Sequence, residues 1–329
     1  MRITAMLLGT AMALPMATLG TAALADGHSS CGEVSITEMN WASSAVVTSV
    51  ATFLMEQGYG CSVTKVPSST TPSLVSVAEN GTPDIVTELW INGTPAYGEL
   101  SDAGTIVTLT DVLSDGGVEG WWMPKYIADE HPELTTIEGM LANPDLLGGR
   151  LHQCPEGWGC KNSNAALARA LDMEGAGYEI FQHGSGETMA TAIAAAFENE
   201  EPILTYYWAP TSVLGKYEMV KVDFGEYDEE GFMCNADPAC ETDTVTPYPV
   251  GPVKTIVTTD FQERQPAIAD LMTNVQFTNA QMGDILAWQD ANNASADEAA
   301  VYFLTSYPDV WSGWISDDAR ANLSALLSN

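Results

Sequence analysis

Positive charge is what this 329-residue chain has least of: 11 Lys and Arg stand against 44 Asp and Glu, a formal net charge of −33. A field of that sign repels phosphate backbones and anionic membrane surfaces, so nucleic acid and lipid headgroups are excluded as partners. A cationic ligand is compatible with it, but dispersed acidity by itself reports solubility, as in a salty habitat, and not a site. Histidine is scarce too. His28, His131, His152 and His183 are scattered and show no zinc spacing. Catalytic signatures are missing as well: there is no Gly-x-Ser-x-Gly elbow, no His-Glu-x-x-His, no phosphate loop and no Cys-x-x-Cys. No catalytic residue, metal ligand or cofactor is therefore assigned, and the chain is read as a non-enzyme.

Long apolar runs are confined to the N-terminus. "MRITAMLLGTAMALPMATLGTAALA" has one early positive charge, Arg2, a short apolar run and a small-x-small end at Ala23-Leu24-Ala25. This is the pattern of a secretory signal peptide over residues 1–25, cut after Ala25, and it predicts an exported protein found in the periplasm. Asp26 follows the cut where a lipid-anchored form would need cysteine. Loss of Arg2 makes the mature chain one unit more negative. Cysteine is sparse but even in number: Cys31, Cys61, Cys154, Cys160, Cys234 and Cys240 all lie beyond the signal. In an exported chain that count argues for disulfides, with fifteen pairings open. Closure of the two short loops costs least entropy, pairing Cys154 with Cys160 and Cys234 with Cys240, and leaves Cys31 to Cys61.

What is present is an alternation of short β-branched runs with helical patterns. "EVSITEMNW", "CSVTKV" and "PDIVTELW" read as strands, with "ASSAVVTSVATFLMEQGYG" and "TPSLVSVAENGT" as the helices between them. A second set follows, with "GGRLHQC" and "PILTYYW" as strands and "NSNAALARALDMEG" and "GETMATAIAAAFENEE" as helices. The alternation predicts an α/β fold with largely parallel sheets, each flanked by helices. The length favours two lobes over one core. "GWWMPKY" at 120–126 is read as the crossover and "YPVGPVKTIVTTD" as the return, which assigns 26–122 with 250–329 to lobe 1 and 123–249 to lobe 2. The C-terminal segment is mostly helical. The acidic stretch "DFGEYDEEGFMCNADPACETD" lacks EF-hand spacing and is read as a solvated, disulfide-pinned hairpin.

Tryptophan is placed oddly. Trp41, Trp90 and Trp208 close predicted strands, and Trp158 lies between two glycines in "CPEGWGC". Ligands of open α/β sheets bind beyond the carboxyl ends of the strands, which is where these rings stand. Indole faces attract the diffuse charge of a methylated ammonium, and several of them around one cavity would select that group over hydrated metal cations. In "CPEGWGC", Gly157 and Gly159 permit unusual dihedrals and close approach, so the amides of Gly159 and Cys160 can point at an anion while Trp158 covers a cation. The Cys154–Cys160 bridge would hold the turn rigid. A ligand with a quaternary ammonium at one end and a carboxylate at the other suits both halves. Arg150 and Lys161 are the only cations flanking the turn.

"PEGWGC", "TELW", "TYYWAP" and "EMNWASSAVVTSV" together resemble the periplasmic substrate-binding proteins of ABC importers for glycine betaine, proline betaine and related osmolytes. The resemblance extends over nearly the whole mature chain. It implies a two-lobed, type II periplasmic binding protein fold that closes on a ligand in the cleft between the lobes. It further implies a cage of Trp90, Trp158 and Trp208 and a carboxylate hole at the amides of Gly159 and Cys160. Trp41 with the amides of Ala42 and Ser43 matches the site loop of another branch, and Trp122 of "GWWMPKY" joins the candidate ligand-binding residues. The chain departs from the pattern at two places. "WINGTPAYG" carries no histidine after Trp90, as the "GWGC" branch does, and Ser43 stands where the choline-binding branch has an acid. Glu88, two residues before Trp90, is a candidate partner for a cation or a protonated oxide. The implied partners are a small osmolyte, with glycine betaine first among glycine betaine, proline betaine, choline, dimethylsulfoniopropionate and trimethylamine oxide, and an ABC permease served by a monomer. A sensory module presenting the same closed form to a receptor is the alternative.

Overall fold

The computed structural model describes residues 31–327. The signal peptide expected over 1–25, and His28, lie outside the described residues. Nine strands form one continuous sheet: β1 (Gly32–Met39), β2 (Cys61–Ser68), β3 (Ile85–Trp90), β4 (Ile106–Pro124), β5 (Arg150–Gln153), β6 (Glu179–Gln182), β7 (Leu204–Ala209), β8 (Met219–Lys221) and β9 (Gly251–Thr258). Their order is β2-β1-β3-β9-β4-β7-β5-β6, with β8 also on β4. The sheet is mixed and not largely parallel. β1 pairs in parallel with β2 and β3, and β5 with β6 and β7, whereas every pairing made by β4 and β9 is antiparallel.

The difference comes from β4. Of residues 120–126, expected as a crossover, 120–124 complete a 19-residue strand whose first part, Ile106–Gly117, pairs with β9 and whose second part, Val118–Pro124, pairs with β7 and β8, and Lys125 opens the next helix. One strand thus runs through both halves of the sheet, and the chain needs no loop to pass between them. The acidic stretch is not a hairpin either. It contains the helix Glu229–Ala236, capped by the Asp228 carboxylate, which accepts the Gly231 amide, and acids in its first turn complement the helix dipole.

Two apolar cores lie along this sheet. In the first, the helix Ala42–Phe53 is buried on nearly all sides between the sheet and the helix Ala296–Ser306. Two of its buried hydroxyl residues are satisfied close by: Thr48 Oγ1 donates to the Thr37 carbonyl at 2.6 Å, and Ser44 Oγ accepts the Met39 amide at 3.3 Å. C-terminal helices cover the far side, and two begin with reciprocal capping boxes, Thr278 with Gln281 and Ser295 with Glu298. Rings of Phe277, Phe303 and Trp314 pack together there with centroids 4.9–5.4 Å apart. The second core gathers Leu151, Leu167, Met189, Ile193 and Leu204 around β5 and β7.

The disulfides are Cys31–Cys61, Cys154–Cys160 and Cys234–Cys240. The first ties the starts of β1 and β2 across a separation of 30 residues. In the chain-entropy picture a loop of that length stabilises the fold by about 3–4 kcal/mol. Replacing both Cys31 and Cys61 by serine is expected to lower the unfolding free energy by about that amount in a denaturant titration under non-reducing conditions.

Candidate ligand-binding site

The carboxyl ends of β1 and β3 supply the first wall. Trp41 follows β1, its backbone extended (φ −145°), and caps the helix that begins at Ala42. Trp90 closes β3. Between them lies Glu88, fully buried, at φ +49°, a left-handed conformation that few side chains adopt without a compensating contact. The β3–β9 register shifts between Val86 and Leu89, so Glu88 occupies a bulge. There its Oε1 accepts the Trp41 indole N–H at 2.6 Å, the Ser43 hydroxyl at 2.6 Å and the Trp90 indole N–H at 3.3 Å. Burial raises the Glu88 pKa to about 7 against the opposing pull of these three donors. The ring of Trp90 rests on Gly117 of β4, where a Cβ would fall 2.1 Å from the indole.

The second wall comes from the other half of the sheet. Trp208 lies near the end of β7, and Trp158 sits in the turn before the helix Cys160–Ala170. The Trp158 centroid is 5.1 Å from that of Trp41 and 4.9 Å from that of Trp208, both edge to face, and both Trp158 and Trp208 pack against Gly186. The turn also reaches across to the first half. Trp158 Nε1 donates to Asn40 Oδ1 at 2.7 Å, and the Thr71 amide donates to the Gly157 carbonyl at 3.0 Å. Both glycines are needed for this approach, for different reasons. Gly157 has φ +81° and comes within 2.6 Å of Ser69 Oγ at the place a Cβ would occupy, whereas Gly159 has an ordinary helical φ of −59° and is required only by the closeness of Thr94 Oγ1.

Trp41, Thr70, Trp90, Glu119, Trp158, Gly159, Cys160, Tyr206 and Trp208 enclose a cavity of about 20 Å³. That is room for about one water molecule, so the surrounding rings must part to admit an organic ligand. Glu119 is buried on β4 opposite Trp208. Its Oε1 accepts the Tyr206 hydroxyl at 2.6 Å, and its Oε2 is buried with no hydrogen-bond partner among the described residues. Burial raises the Glu119 pKa to about 7, opposed by Tyr206 and by the neighbouring Asn92 amide, whose own hydrogen bond goes to the Pro249 carbonyl. The first amides of the helix Cys160–Ala170 have no intrahelical acceptor and carry its positive dipole end, and Gly159 and Cys160 bring them to the cavity wall.

Not every sequence candidate reaches this cavity. Ala42 and Ser43 line a larger groove of about 730 Å³ outside it, bounded by Trp41 and Trp208 and carrying Glu38, Glu187 and Asp290. Trp122 is turned away: its indole N–H donates to the Tyr207 carbonyl within the sheet, at 3.1 Å. Arg150 and Lys161 are engaged elsewhere, with Glu179 and Glu156 respectively. His152 and His183, far apart in sequence, meet at 2.8 Å, and burial lowers the His152 pKa to about 4. Sequence reasoning missed Glu119, Tyr206 and Thr70. A signal for Tyr206 existed, because it precedes Trp208 by two residues and shares its face of β7.

The sequence profile of the family described as the substrate binding domain of ABC-type glycine betaine transport system matches residues 32–306. Solved structures share the fold. The glycine betaine, L-proline ABC transporter binding protein ProX of Borrelia burgdorferi is 15% identical, with a TM-score of 0.72 over 88% of this chain and 99% of that one. Lactococcal OpuAC, closed and complexed with glycine betaine, is 18% identical, with a TM-score of 0.69 over 87% and 100%. An ABC-transporter choline binding protein in complex with choline is 17% identical, with a TM-score of 0.70 over 90% and 99%. The chain belongs to the family of substrate-binding domains of glycine betaine-type ABC transporters, and its fold is that of the two-lobed periplasmic binding proteins.

Two outcomes follow from the geometry. In Gly117→Ala the new methyl displaces the Trp90 ring, and binding of any ligand that rests on that indole face is expected to weaken about 5- to 30-fold, with the circular dichroism spectrum unchanged. The buried carboxyls also set a pH dependence of stability. Both are raised in the folded state from the ordinary value of 4.5 to about 7. Between those values the folded chain holds protons that the unfolded chain has lost, so the unfolding free energy declines from pH 4.5 to 7 and levels off above, by up to ~3 kcal/mol for each carboxyl. Glu119→Gln is expected to flatten that decline by about half in denaturant titrations across the range.

Proposed function

We propose that this chain is the solute-binding component of an ABC importer that closes its lobes, 26–122 with 250–329 and 123–249, on a compact methylated onium osmolyte held among Trp41, Trp90, Trp158 and Trp208. The observation that carries this reading is the enclosure of one small cavity by four indoles, a buried carboxyl and the start of a helix. Indole faces suit a cation that cannot donate hydrogen bonds, and the helix amides suit the oxygen at its other end. Binding needs no bond-making step, and nothing in the cavity calls for a cofactor. Export to the periplasm, action as a monomer and delivery to a membrane permease complete the proposal. A sensory role would use the same closed form.

Glycine betaine is the first reading, its carboxylate met by the amides of Gly159 and Cys160. A second reading, trimethylamine oxide, is favoured by Glu119. With a proton on Oε2 this side chain can donate to an oxide oxygen. Choline would use Glu119 differently, as an ionised counter-charge.

Calorimetric titration of glycine betaine, trimethylamine oxide and choline at pH 6 and pH 8 separates these readings. A ligand that ends in a carboxylate or an oxide is expected to bind more weakly at pH 8, where Glu119 has lost its proton, and choline more tightly. The tightest binder of the three identifies the ligand class, and Trp158→Ala is expected to cost it about 1–2 kcal/mol. Binding of none of them would overturn the proposal.

A further inference from the structure

Glu88 lies behind the cavity wall and does not line it, yet it is joined to two of the four rings. Its Oε1 takes the indole N–H of both Trp41 and Trp90 together with the Ser43 hydroxyl, while its Oε2 is buried with no partner among the described residues. If the only task were to satisfy two indole N–H groups, a carbonyl or hydroxyl would do so without burying an ionisable group in a left-handed bulge. A carboxylate does something they cannot. As the acceptor of an indole N–H it makes a charge-assisted hydrogen bond and polarises the ring, moving electron density onto the faces that meet a cation.

Resting on the onium reading above, we propose that Glu88 is a positioning residue that fixes the Trp41 and Trp90 rings and strengthens their faces as cation partners through the hydrogen bonds it accepts. Glu88 thus contributes to the selection of charged over uncharged ligands of the same shape without touching either. Trp158 provides an internal comparison, because its indole N–H goes to the neutral amide oxygen of Asn40.

The test is run at pH 8.5, where Glu88 is ionised, and uses the full exported chain, choline and its uncharged carbon isostere 3,3-dimethylbutan-1-ol, which share a shape and differ in charge. Glu88→Gln keeps the length of the side chain and an acceptor oxygen while removing the charge. The preference for choline over the isostere is expected to shrink about tenfold in this variant, with affinity for the isostere changed less than twofold. Equal loss for both compounds, or no loss for either, would overturn the proposal. The second measurement is the indole N–H resonance of each tryptophan in nitrogen-15-labelled protein. In Glu88→Gln the Trp41 and Trp90 signals are expected to move upfield and the Trp158 signal to stay; unmoved Trp41 and Trp90 signals would overturn the placement. Should the wild type bind neither compound, the onium reading fails, while the resonances still decide whether Glu88 holds the rings. Should the variant fail to fold, the wild-type spectrum decides: Trp41 and Trp90 N–H signals no further downfield than that of Trp158 overturn the proposal.

Discussion

Two carboxyl groups are buried in one aromatic cluster, and no cationic side chain is among the groups that act on either. Much of the site's architecture is arranged around that constraint. Removing a carboxylate from water costs several kcal/mol unless hydrogen bonds or an opposite charge replace the lost hydration. For Glu88 the replacement is internal, three donors on one oxygen. For Glu119 it is half complete, with Tyr206 on one oxygen and no partner among the described residues on the other. A site left in that condition favours whatever supplies the missing partner, so the cost of burying Glu119 becomes a preference for its ligand.

The enclosure of the cavity depends on the approach of one turn. Residues 154–160 bring Trp158 against Trp41 and Trp208, and they succeed only because Gly157 and Gly159 leave space for Ser69 and Thr94. The Cys154–Cys160 bridge spans the same turn and the first residue of the helix, so the ring and the helix amides are fixed relative to each other. Preorganisation of this kind lowers the ordering cost of binding, and it places a cation-favouring face and an anion-favouring helix end on the wall of one cavity.

How much of this could be read in the sequence differs residue by residue. The strand-end positions of Trp41, Trp90 and Trp208 were legible because β-branched runs stop at them, and the strand and helix alternation that places them was legible for the same reason. Glu119 was not. It lies in "DVLSDGGVEGWW", where glycines and acids mimic a loop, although in the fold Gly117 is there to admit the Trp90 ring and Gly120 to admit the Lys221 chain. Local composition cannot report that a glycine in a strand is matched to a ring 27 residues away in the chain. The role of Glu88 was hidden for another reason. Simple alternation puts it on the same face as Trp90, and only the bulge turns it toward Trp41.

β4 passes through both halves of the molecule, and its register with β9 slips at three places between Thr108 and Gly117. Each slip removes regularly spaced ladder bonds and adds local twist. A beam made of backbone hydrogen bonds is therefore stiffer along Val118–Trp122, where its pairing with β7 is regular, and more compliant along Thr108–Gly117. Torsional compliance spread over such a stretch makes it a spring and not a pivot. Any turn of one half of the sheet against the other would be taken up in these residues of β4, none of which lines the cavity.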